Sequence, residues 1–364
     1  MAVFSCNVKD LKSVVSKAES LLNKRTTLEA LKSVAVEITA DGVYIKATDL
    51  ESFVIFKVST DFSGVGSKVL VDVKQLIQVL KSLKGQIEVK SENNMLSLSD
   101  EKQTFHIKVS TNSYYPDFPV IPSLKFHYIN AKTLLKATEK VEYATFKDFK
   151  DKGKYYERNS LKYILINRSD FVATDGYRLA LYSSKEINLP IEVKIHGNVV
   201  KILKNIIKDV KDVMIANDEK YIYFKADNWE FIIPNSDTTY PNYQYLINSF
   251  SGVEFNEFVI DKTMFINSLK YLQPSRNKDF AVKLTLSDKV LIETEDKKVE
   301  LAVNYKGNSI ILGINGKFLI ESLERFDNDL VKIRVSDDIE RPIFLESVDK
   351  DKDPYTVLIM PMKL

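Results

Sequence analysis

The sequence is poor in the residues that usually build metal sites and reactive centres. It holds one cysteine, Cys6, and three histidines, His106, His127 and His196. A single thiol cannot form an internal disulfide, which favours a reducing compartment, and Cys6 is expected to be a half-buried strand residue rather than a reactive thiol. The three histidines lack the spacing of metal ligands. The sequence therefore predicts no metal site and no other cofactor.

Long apolar segments and an excess of charge of either sign are also missing. The apolar runs, such as 163–166, are far shorter than the roughly 18 residues that a membrane span needs. Lys9, Asp10 and Lys12 stand where a signal peptide would need an apolar core. Lysine and arginine total 52 against 50 aspartates and glutamates, so the formal net charge is only +2. We expect a soluble, cytoplasmic protein, in which any nucleic-acid contact requires positive charge to be gathered on one surface.

Motifs for catalysis are scarce as well. There is no glycine-rich phosphate loop or nucleophile elbow, and Gly64-Val65-Gly66 indicates only a flexible turn. Asp49 and Asp175 remain as candidate acid/base groups. However, Asp175-Gly176 is a common turn pair that is selected for backbone reasons, so a structural turn is the favoured interpretation. These absences favour a binding protein over an enzyme.

One helical pattern occurs three times, at intervals of about 120 residues. Each copy opens with an aliphatic residue and a polar residue that can cap a helix, and then becomes amphipathic. The copies are 71–81, 195–204 and 314–323. An amphipathic run of this kind predicts a helix that packs one face on another element.

A second helical pattern precedes each copy. In the first third its apolar face is Leu11, Val14, Val15, Ala18, Leu21 and Leu22, and Asn7 or Asp10 can cap its start. In the middle third the pattern is 132–143, with Leu134, Leu135, Thr138 and Val141 expected to point inward. In the last third it is 261–272, with Met264, Phe265, Leu269 and Leu272 inward.

The remaining segments read as strands, and short motifs recur among them. Strands are predicted at 43–48, 161–167, 221–225, 231–233 and 290–292. Ala47-Thr48-Asp49, Ala173-Thr174-Asp175 and Glu293-Thr294-Glu295 each end a strand, and Tyr115-Pro116 and Tyr240-Pro241 close the first two units. The sequence thus predicts an α+β protein of three repeated domains, 1–124, 125–250 and 251–364, each with two helices packed on β-sheets.

Lysines follow the outward face of several predicted helices. In the first third, the second predicted helix carries Lys74 and Lys81. In the middle third, the first predicted helix carries Lys132, Lys136 and Lys140, and the second carries Lys201, Lys204 and Lys208. Such a stripe is usually only a solvated face, but its repetition at equivalent positions favours contact with phosphates, which carries no sequence information. Glu321 and Glu324 weaken the pattern in the last third.

Two motifs resemble a known family. The run 171–180, Phe-Val-Ala-Thr-Asp-Gly-Tyr-Arg-Leu-Ala, and the terminal run 360–364, Met-Pro-Met-Lys-Leu, resemble signatures of the bacterial sliding clamp, the beta subunit of DNA polymerase III. Arg25-Thr26-Thr27-Leu28 and 47–51 resemble motifs of its first domain. Their order and spacing match over essentially the whole chain. The resemblance implies a non-catalytic processivity factor of the replicative polymerase.

The resemblance implies an assembly and a DNA-facing surface. Three-domain subunits would pair head to tail as a homodimer and close a ring around double-stranded DNA, with Phe105 and Ile107 of one subunit against Tyr271 and Leu272 of the other. The DNA-facing candidates are Arg25, Lys74, Lys81, Lys201, Lys204, Lys208, Tyr155 and Tyr156. His196-Gly197-Asn198 stands where many relatives carry basic residues, which shifts the contribution of the middle domain.

The resemblance also implies a pocket for short linear peptides of the polymerase and the clamp loader. The matching positions are Thr174, Gly176, Tyr177, Arg178, Leu179, Pro241, Tyr245, Leu246, Pro342, Leu358, Ile359, Met360, Pro361 and Met362. An apolar slot with pliable methionines suits varied motifs, although ordinary core filling explains the two methionines equally well. Arg158 and Lys363 depart from the family pattern of a leucine and a terminal arginine.

Two other functions stay open at this point. One is an enzyme that acts on nucleic acid through Asp49 or Asp175. The other is a repeat adaptor that binds proteins and never encircles DNA. Retention on circular but not on linear DNA separates a clamp from both alternatives, because only a closed ring depends on DNA ends.

Overall fold

The computed structural model describes residues 2–22, 26–64, 66–110, 114–147, 156–274, 280–305 and 307–363, without the side chains of Glu29, Tyr156, Glu157 and Arg158. The chain falls into two compact units. Unit 1 comprises residues 1–132 and 201–236, and unit 2 comprises residues 133–200 and 237–364. Arg25, Tyr155 and Leu364 lie outside the described residues.

The elements alternate between helices and short strands along the chain. In chain order they are β1 (Ala2–Asn7), α1 (Val8–Glu19), β2 (Ser33–Thr39), β3 (Gly42–Thr48), β4 (Phe53–Val58), β5 (Asp61–Ser63), β6 (Ser67–Asp72), α2 (Val73–Ser82), β7 (Gln86–Glu92), β8 (Met95–Ser99), β9 (Thr104–Lys108), β10 (His127–Asn130), α3 (Ala131–Val141), β11 (Tyr163–Arg168), β12 (Asp170–Thr174), β13 (Arg178–Ser183), β14 (Leu189–His196), α4 (Val199–Ile207), β15 (Asp212–Asn217), β16 (Tyr221–Ala226), β17 (Trp229–Pro234), α5 (Tyr243–Asn248), β18 (Asn256–Asp261), α6 (Lys262–Leu272), β19 (Ala281–Leu286), β20 (Val290–Glu293), β21 (Lys298–Leu301), β22 (Ile310–Asn315), α7 (Gly316–Leu323), β23 (Leu330–Val335), β24 (Ile343–Ser347) and β25 (Tyr355–Ile359). Short 3-10 segments occur at Glu29–Lys32, Glu142–Ala144 and Tyr156–Lys162.

The six predicted long helices are confirmed, and their starts follow the expected capping chemistry. The side chain of Asn7 accepts a hydrogen bond from the backbone N–H of Lys9, and Asp72 caps α2 in the same way. Asp261 and Asn315 cap α6 and α7. A side-chain oxygen at this position satisfies a backbone donor that has no partner within the helix.

One inward position was wrong. Met264 is 38% exposed, whereas Phe265, Ile266 and Leu269 are buried. At the start of α6 the buried face therefore includes Ile266 and not Met264. The apolar character of Met264 does not reveal this rotation. Because several rotations of an amphipathic helix satisfy a similar apolar pattern, the pattern alone does not fix which rotation the sheet accepts.

Each unit is built around one eight-stranded antiparallel sheet. The order in unit 1 is β10-β15-β16-β17-β4-β3-β2-β6, and the order in unit 2 is β14-β11-β12-β13-β25-β24-β23-β18. Unit 1 also holds the sheet β5-β1-β7-β8-β9, and unit 2 holds the sheet β21-β20-β19-β22. The combination of helices and antiparallel sheets confirms the predicted α+β class.

The two eight-stranded sheets are copies of one design. In each, four strands that precede a second helix, such as β6-β2-β3-β4, join four strands that follow it, such as β17-β16-β15-β10. The joining pairs are β4 with β17 in unit 1 and β13 with β25 in unit 2, both antiparallel. We call these two pairs the internal joints.

A connecting segment covers one face of each internal joint. In unit 1, Phe118, Ile121, Leu124 and Phe126 pack on a cluster of Phe53, Tyr223 and Ile232. In unit 2, Tyr240, Ile247, Phe250 and Phe255 pack on a cluster that includes Leu179, Phe344 and Leu358. Full burial of an apolar side chain of this size contributes about 1.5–3 kcal/mol, and these partly buried side chains contribute a share of that, so the segments stabilise the joints as well as connecting elements.

Candidate peptide edge, helix lysines and open strands

The Thr174–Arg178 turn is the most regular feature among the predicted site residues. The Thr174 hydroxyl donates to the carbonyl oxygen of Arg178 at 2.6 Å and accepts from the N–H of Gly176 at 3.1 Å. Asp175 accepts from the N–H groups of Tyr177 and Arg178, each at 3.0 Å. Gly176 has a φ of +91°, which glycine adopts without a steric penalty. Asp175 thus acts as the predicted turn residue.

The Arg178 side chain is held by three separate partners. Its Nε donates to Asp175 Oδ2 at 3.0 Å, its Nη1 to Glu321 Oε2 at 2.6 Å and its Nη2 to the Tyr143 carbonyl at 2.9 Å. The guanidinium also lies 4.2 Å from the ring centroid of Phe318. With a side chain only 6% exposed, Arg178 positions the turn and has few donors left for a ligand. Sequence reasoning did not identify Tyr143 and Glu321, because no local pattern marks partners that are far apart in the chain.

Three adjacent strand ends bring most of the remaining peptide-site candidates together. Leu179 lies opposite Leu358, and Arg178 lies opposite Ile359, in the joint between β13 and β25. The N–H of Met360 donates to the carbonyl of Tyr177 at 2.8 Å, which prolongs this pairing by one step. Ile343 lies opposite Ile359 on β24, so Pro342 is at the same edge. We call this end of β13, β25 and β24 the peptide edge.

Exposed apolar side chains lie beside a buried base at this edge and on α5, which packs on the Leu179 and Leu358 cluster through Tyr243 and Ile247. Leu179, Leu358 and Ile359 are buried in the sheet. Tyr177, Tyr245, Leu246 and Met360 are 54%, 75%, 42% and 42% exposed. Pro241 is exposed as well, just before α5, whereas Pro342 is buried. Large apolar side chains that stay in water next to a formed apolar base are typical of a surface that binds another chain.

The end of the chain is tied to a second sheet of unit 2. The N–H of Met362 donates to the carbonyl of Gly313 on β22 at 3.0 Å, and these two residues form an isolated antiparallel bridge. Pro361 and Met362 are half-buried. The terminal methionines are therefore placed by backbone hydrogen bonds on both sides, at Tyr177 and at Gly313, rather than by core packing alone.

The predicted lysines of α2 and α4 lie on the solvent side of their helices. Lys74, Lys81, Lys201, Lys204 and Lys208 are exposed, the last directly after α4. The opposite faces are buried through Leu76 and Leu80 in α2 and through Leu203 and Ile206 in α4. All five lysines belong to unit 1. Among the other DNA-facing candidates, Arg25, Tyr155 and the side chain of Tyr156 fall outside the described part of the chain.

The predicted outward stripe on α3 is wrong at Lys140. This side chain is buried, and its Nζ lies 2.6 Å from Asp353 Oδ1 and 3.0 Å from Asp327 Oδ1. Lys136 pairs with the other oxygen of Asp327 at 2.8 Å. Burial alone would raise the pKa of Asp327, but its pairing with Lys136 and Lys140 outweighs this and lowers it. Helical spacing did not predict the ion pairs, because the acids come from distant segments.

The acidic residues Glu321 in α7 and Glu324 directly after it also form ion pairs. Glu321 binds Arg178, and Glu324 binds Lys270 at 2.8 Å. Arg325 lies 3.9 Å from Glu142. The acids that interrupt the lysine pattern in the last third therefore form ion pairs within unit 2.

The residues predicted at a subunit contact lie on or beside two open sheet edges. β9 is the last strand of its sheet and β21 is the last strand of the four-stranded sheet in unit 2. Phe105 is half-buried and Ile107 is buried on β9. Tyr271 is 60% exposed and Leu272 is buried at the end of α6. Lys297, next to β21, donates to the Tyr271 carbonyl at 2.7 Å, so Tyr271 lies beside the second edge.

Asp49 closes a turn at the end of β3. It accepts from the N–H groups of Ser52 at 2.7 Å and Glu51 at 3.1 Å, as a turn residue does. Burial raises its pKa despite these hydrogen bonds. Among the described residues no group of three histidine, cysteine or acidic side chains is placed to hold a metal ion. Cys6 is buried in β1, and burial raises the pKa of its thiol to about 12.

Comparison with known proteins gives consistent matches. Residues 2–122 match the family model described as DNA polymerase III beta subunit, N-terminal domain. The beta sliding clamp of Chlamydia muridarum is 23% identical over 381 residues, which cover 99% of this chain and 99% of the relative. The beta sliding clamp of Helicobacter pylori is 23% identical with the same coverage of both chains.

Solved structures of similar fold cover the whole chain. The DNA polymerase III beta subunit of Thermotoga maritima matches with a TM-score of 0.86 and 19% identity, over 100% of both chains. The sliding clamp of Bacillus subtilis matches with a TM-score of 0.84 and 18% identity, over 100% of this chain and 99% of that one. In the described ranges, no helix is long and apolar enough to cross a membrane. The resemblance that the motifs indicated is confirmed by these matches.

Proposed function

We infer that this chain belongs to the beta sliding clamp family and acts as a sliding clamp, a processivity factor that encircles duplex DNA and tethers the replicative polymerase. It has no catalytic role of its own in this proposal. The relatives that it matches over nearly the whole length of both chains are named beta sliding clamps. The three domains of the proposal, 1–124, 125–250 and 251–364, each hold one helix pair and contribute half-sheets to the joints.

The observation that carries the proposal is that two pairs of half-sheets are joined in the same way, while the half-sheets that end in β9 and β21 have no such partner among the described residues. The internal joints each complete an eight-stranded sheet from two four-stranded halves. The half that contains β9 and the half that contains β21 are the remaining ones, and each ends in an open strand. A surface that pairs with a different surface on an identical subunit gives a head-to-tail contact, which closes into a ring when the rotation closes. Phe105 and Tyr271 lie at these edges, which supports the proposed homodimer.

Phosphate contacts by lysine suit the sliding function. The exposed Lys74, Lys81, Lys201, Lys204 and Lys208 carry charge without groups that read base edges. Contacts of this kind are independent of sequence and weaken with salt. A closed ring needs only such weak contacts, because it stays on DNA by enclosing it. The clamp would accordingly associate with the nucleoid in the cytoplasm.

The peptide edge supplies the proposed tether. Tyr177 and Met360 offer exposed apolar surface at the ends of β13 and β25. Tyr245 and Leu246 offer more on α5, which packs on the cluster of Leu179 and Leu358. Short segments of the polymerase and of the clamp loader would insert apolar side chains there, with the adaptable methionines allowing varied motifs.

Retention on DNA of different topology tests the clamp. The protein is loaded onto nicked circular DNA and the sample is passed over a sizing column, before and after the circle is cut once. Retention on the circle and loss after cutting are expected at any salt concentration that leaves the protein folded. Equal retention on both forms would mean ordinary binding and would overturn the proposal.

A charge series then tests the lysine surface. Lys74→Ala with Lys201→Ala should weaken binding to linear DNA and lower its salt slope, whereas retention of a closed ring on circular DNA, which depends on enclosure, should not change. Lys350→Ala with Lys352→Ala removes the same charge from an acidic stretch of unit 2 and serves as the matched control. Equal effects of both pairs would contradict the assignment.

The peptide edge has its own test. Met360→Ala and Leu246→Ala should weaken binding of a labelled polymerase-derived peptide about tenfold or more, given that a buried apolar anchor contributes over 1 kcal/mol. Ring assembly should not change, as sedimentation would show. Met264→Ala, an exposed methionine on α6, is the control. Unchanged affinity in the first two variants would remove the peptide edge as the tether.

A further inference from the structure

We propose that the end of α3 positions the peptide edge, through buried hydrogen bonds that run from Lys140 and Tyr143 to both β13 and β25. Lys140, Tyr143, Asp353 and Tyr355 form one connected group, which we call the polar lock. This inference rests on the proposed tether and names the residues that hold it in place.

The charged half of the polar lock fixes the segment that leads into β25. Asp353 is fully buried, and its Oδ1 lies 2.6 Å from Nζ of Lys140. Its Oδ2 accepts from the hydroxyl of Ser347 and from the N–H of Asp327, each at 3.0 Å. A buried charge is stable only when partners of this kind replace the water that it has lost. Asp353 thus ties α3, the end of β24 and the segment after α7 to the start of β25.

The hydroxyl half of the polar lock holds the first residue of β25. The hydroxyl of Tyr355 donates to the carbonyl of Lys140 at 2.9 Å, and it lies 3.0 Å from the hydroxyl of Tyr143. The Tyr143 hydroxyl also lies 3.0 Å from Oγ of Ser322 on α7. Burial raises the pKa of both tyrosines, so both hydroxyls keep the protons that these hydrogen bonds need.

The same end of α3 reaches the other strand of the peptide edge. Nη2 of Arg178, the first residue of β13, donates to the carbonyl of Tyr143 at 2.9 Å. The N–H of Met360 donates to the carbonyl of Tyr177 and joins the two strand ends. Because β25 is only five residues long and is paired on both sides, a shift of Tyr355 along the strand is carried to Met360. Residues 140–143 therefore set both sides of the edge.

Unit 1 offers a comparison, because it has the same positions in its own internal joint. Lys17 and Lys140 each stand ten residues after the asparagine that precedes the helix. Trp229 on β17 and Tyr355 on β25 each lie opposite the residue that follows the turn threonine by eight positions. Lys17 is therefore the counterpart of Lys140, and Trp229 is the counterpart of Tyr355.

The counterparts in unit 1 are arranged differently. Lys17 pairs at 3.0 Å with Asp209, whose side chain is 59% exposed. Asp227, the counterpart of Asp353, is exposed. Trp229 is buried, and its Nε1 has no hydrogen-bond partner in the described part of the chain. Of the two internal joints, the one that carries the peptide edge thus has the polar lock, which assigns the lock to the edge rather than to the joint as such.

Removal of one hydroxyl tests the position of the edge. Tyr355→Phe keeps the buried ring and removes the hydrogen bonds to the end of α3. In the free chain, amide hydrogen exchange at Met360 should become at least tenfold faster, and the Kd of the labelled polymerase-derived peptide should rise at least threefold. Tyr223→Phe, which removes a hydroxyl bonded to Asp218 at the joint of unit 1, is the matched control and should change neither quantity.

A neutral replacement of the ion pair separates positioning from stability. Lys140→Met alone would leave the buried Asp353 carboxylate without its cation, so it is combined with Asp353→Asn, which removes the charge and keeps an acceptor. The peptide Kd should rise at least threefold, while the midpoint of denaturant unfolding stays close to that of the parent chain. Lys17→Met with Asp209→Asn removes the counterpart pair from unit 1 and should leave the peptide Kd unchanged.

Three results would overturn the inference. One is unchanged Met360 exchange and full peptide affinity in the variants of the polar lock. Another is an affinity loss that appears only together with a lower unfolding midpoint, since it would reflect lost stability. The third is an equal loss in the unit 1 controls. Peptide binding by the unmodified chain is measured first, and its absence would overturn the tether itself and this inference with it.

Discussion

The turns at Thr48–Ser52 and at Thr174–Arg178 have the same backbone and different uses. In both, a threonine hydroxyl donates to the carbonyl four residues later, at Ser52 or Arg178. In both, the following aspartate accepts from the N–H groups two and three residues on. The third position has a φ of +84° at Leu50 and +91° at Gly176. The shared geometry shows that the turn serves the fold in both places.

The differences lie in the side chains that the turn presents. The first turn ends in the small, uncharged side chain of Ser52, whereas the second ends in Arg178, whose guanidinium is held by three partners. The first turn carries an exposed leucine where the second carries glycine. A site can therefore be added to a repeated element by changing two or three side chains and leaving the backbone unchanged.

The largest effect is expected when the final residue of each turn is truncated. Arg178→Ala leaves Glu321 and the Tyr143 carbonyl without their donor, and breaking a buried ion pair costs about 3–5 kcal/mol. Ser52→Ala should cost less than about 1 kcal/mol. Denaturant unfolding of both variants measures the difference. Similar losses would mean that the Arg178 contacts are weaker than their geometry indicates.

Arg178→Ala should also weaken peptide binding, because the turn sets Tyr177 and Leu179 at the peptide edge. Glu321→Gln keeps a hydrogen-bond acceptor for Arg178 while removing the charge, and it is expected to lie between the parent chain and Arg178→Ala in affinity. Peptide titration by fluorescence anisotropy makes this comparison. An Arg178 variant with full affinity would show that the edge does not depend on the turn.

A smaller effect is expected at the third position. Gly176→Ala places a β-carbon where φ is positive, at a cost of about 1–2 kcal/mol, although the added carbon would lie 3.8 Å from Leu161 Cδ1 and meet no clash. Leu50→Gly relieves the same strain and adds freedom to the unfolded chain, so its net change should stay within about 1 kcal/mol of zero. Thermal unfolding of the two variants gives the sign of each change.

The smallest effect is a dependence on pH at the first turn. Burial raises the pKa of Asp49, so its charged form is disfavoured in the folded state. The resulting stabilisation is fully present below the ordinary value of 3.8 and is lost as pH rises through the raised pKa. Asp49→Asn keeps the side-chain acceptor and removes the titration. The parent chain should lose stability relative to this variant as pH rises, and a flat difference would contradict the raised pKa.

Sequence reasoning reached most local features and missed most distant ones. It predicted the helices, several strands and the turn role of Asp175, because periodicity and capping are encoded within a few residues. It wrongly placed Met264 inward and Lys140 outward, because the exposure of each side chain depends on what packs against its helix. It grouped Thr294 with Thr48 and Thr174, but Thr294 closes a shorter turn with Lys297.

The candidate site divides along the same line. Tyr177, Leu179 and Met360 were found from motif resemblance, and their shared edge depends on pairing between β13 and β25. The partners of Arg178 come from segments far apart in the chain and carried no local signal.

The sequence by itself determined the repeated helix pairs, their caps and the shared turn. Only the tertiary structure decided which half-sheets join, in what register, and which edges stay open. The reason is physical: a helix or a turn is specified by neighbours in the chain, whereas strand pairing depends on side chains that the fold alone brings together.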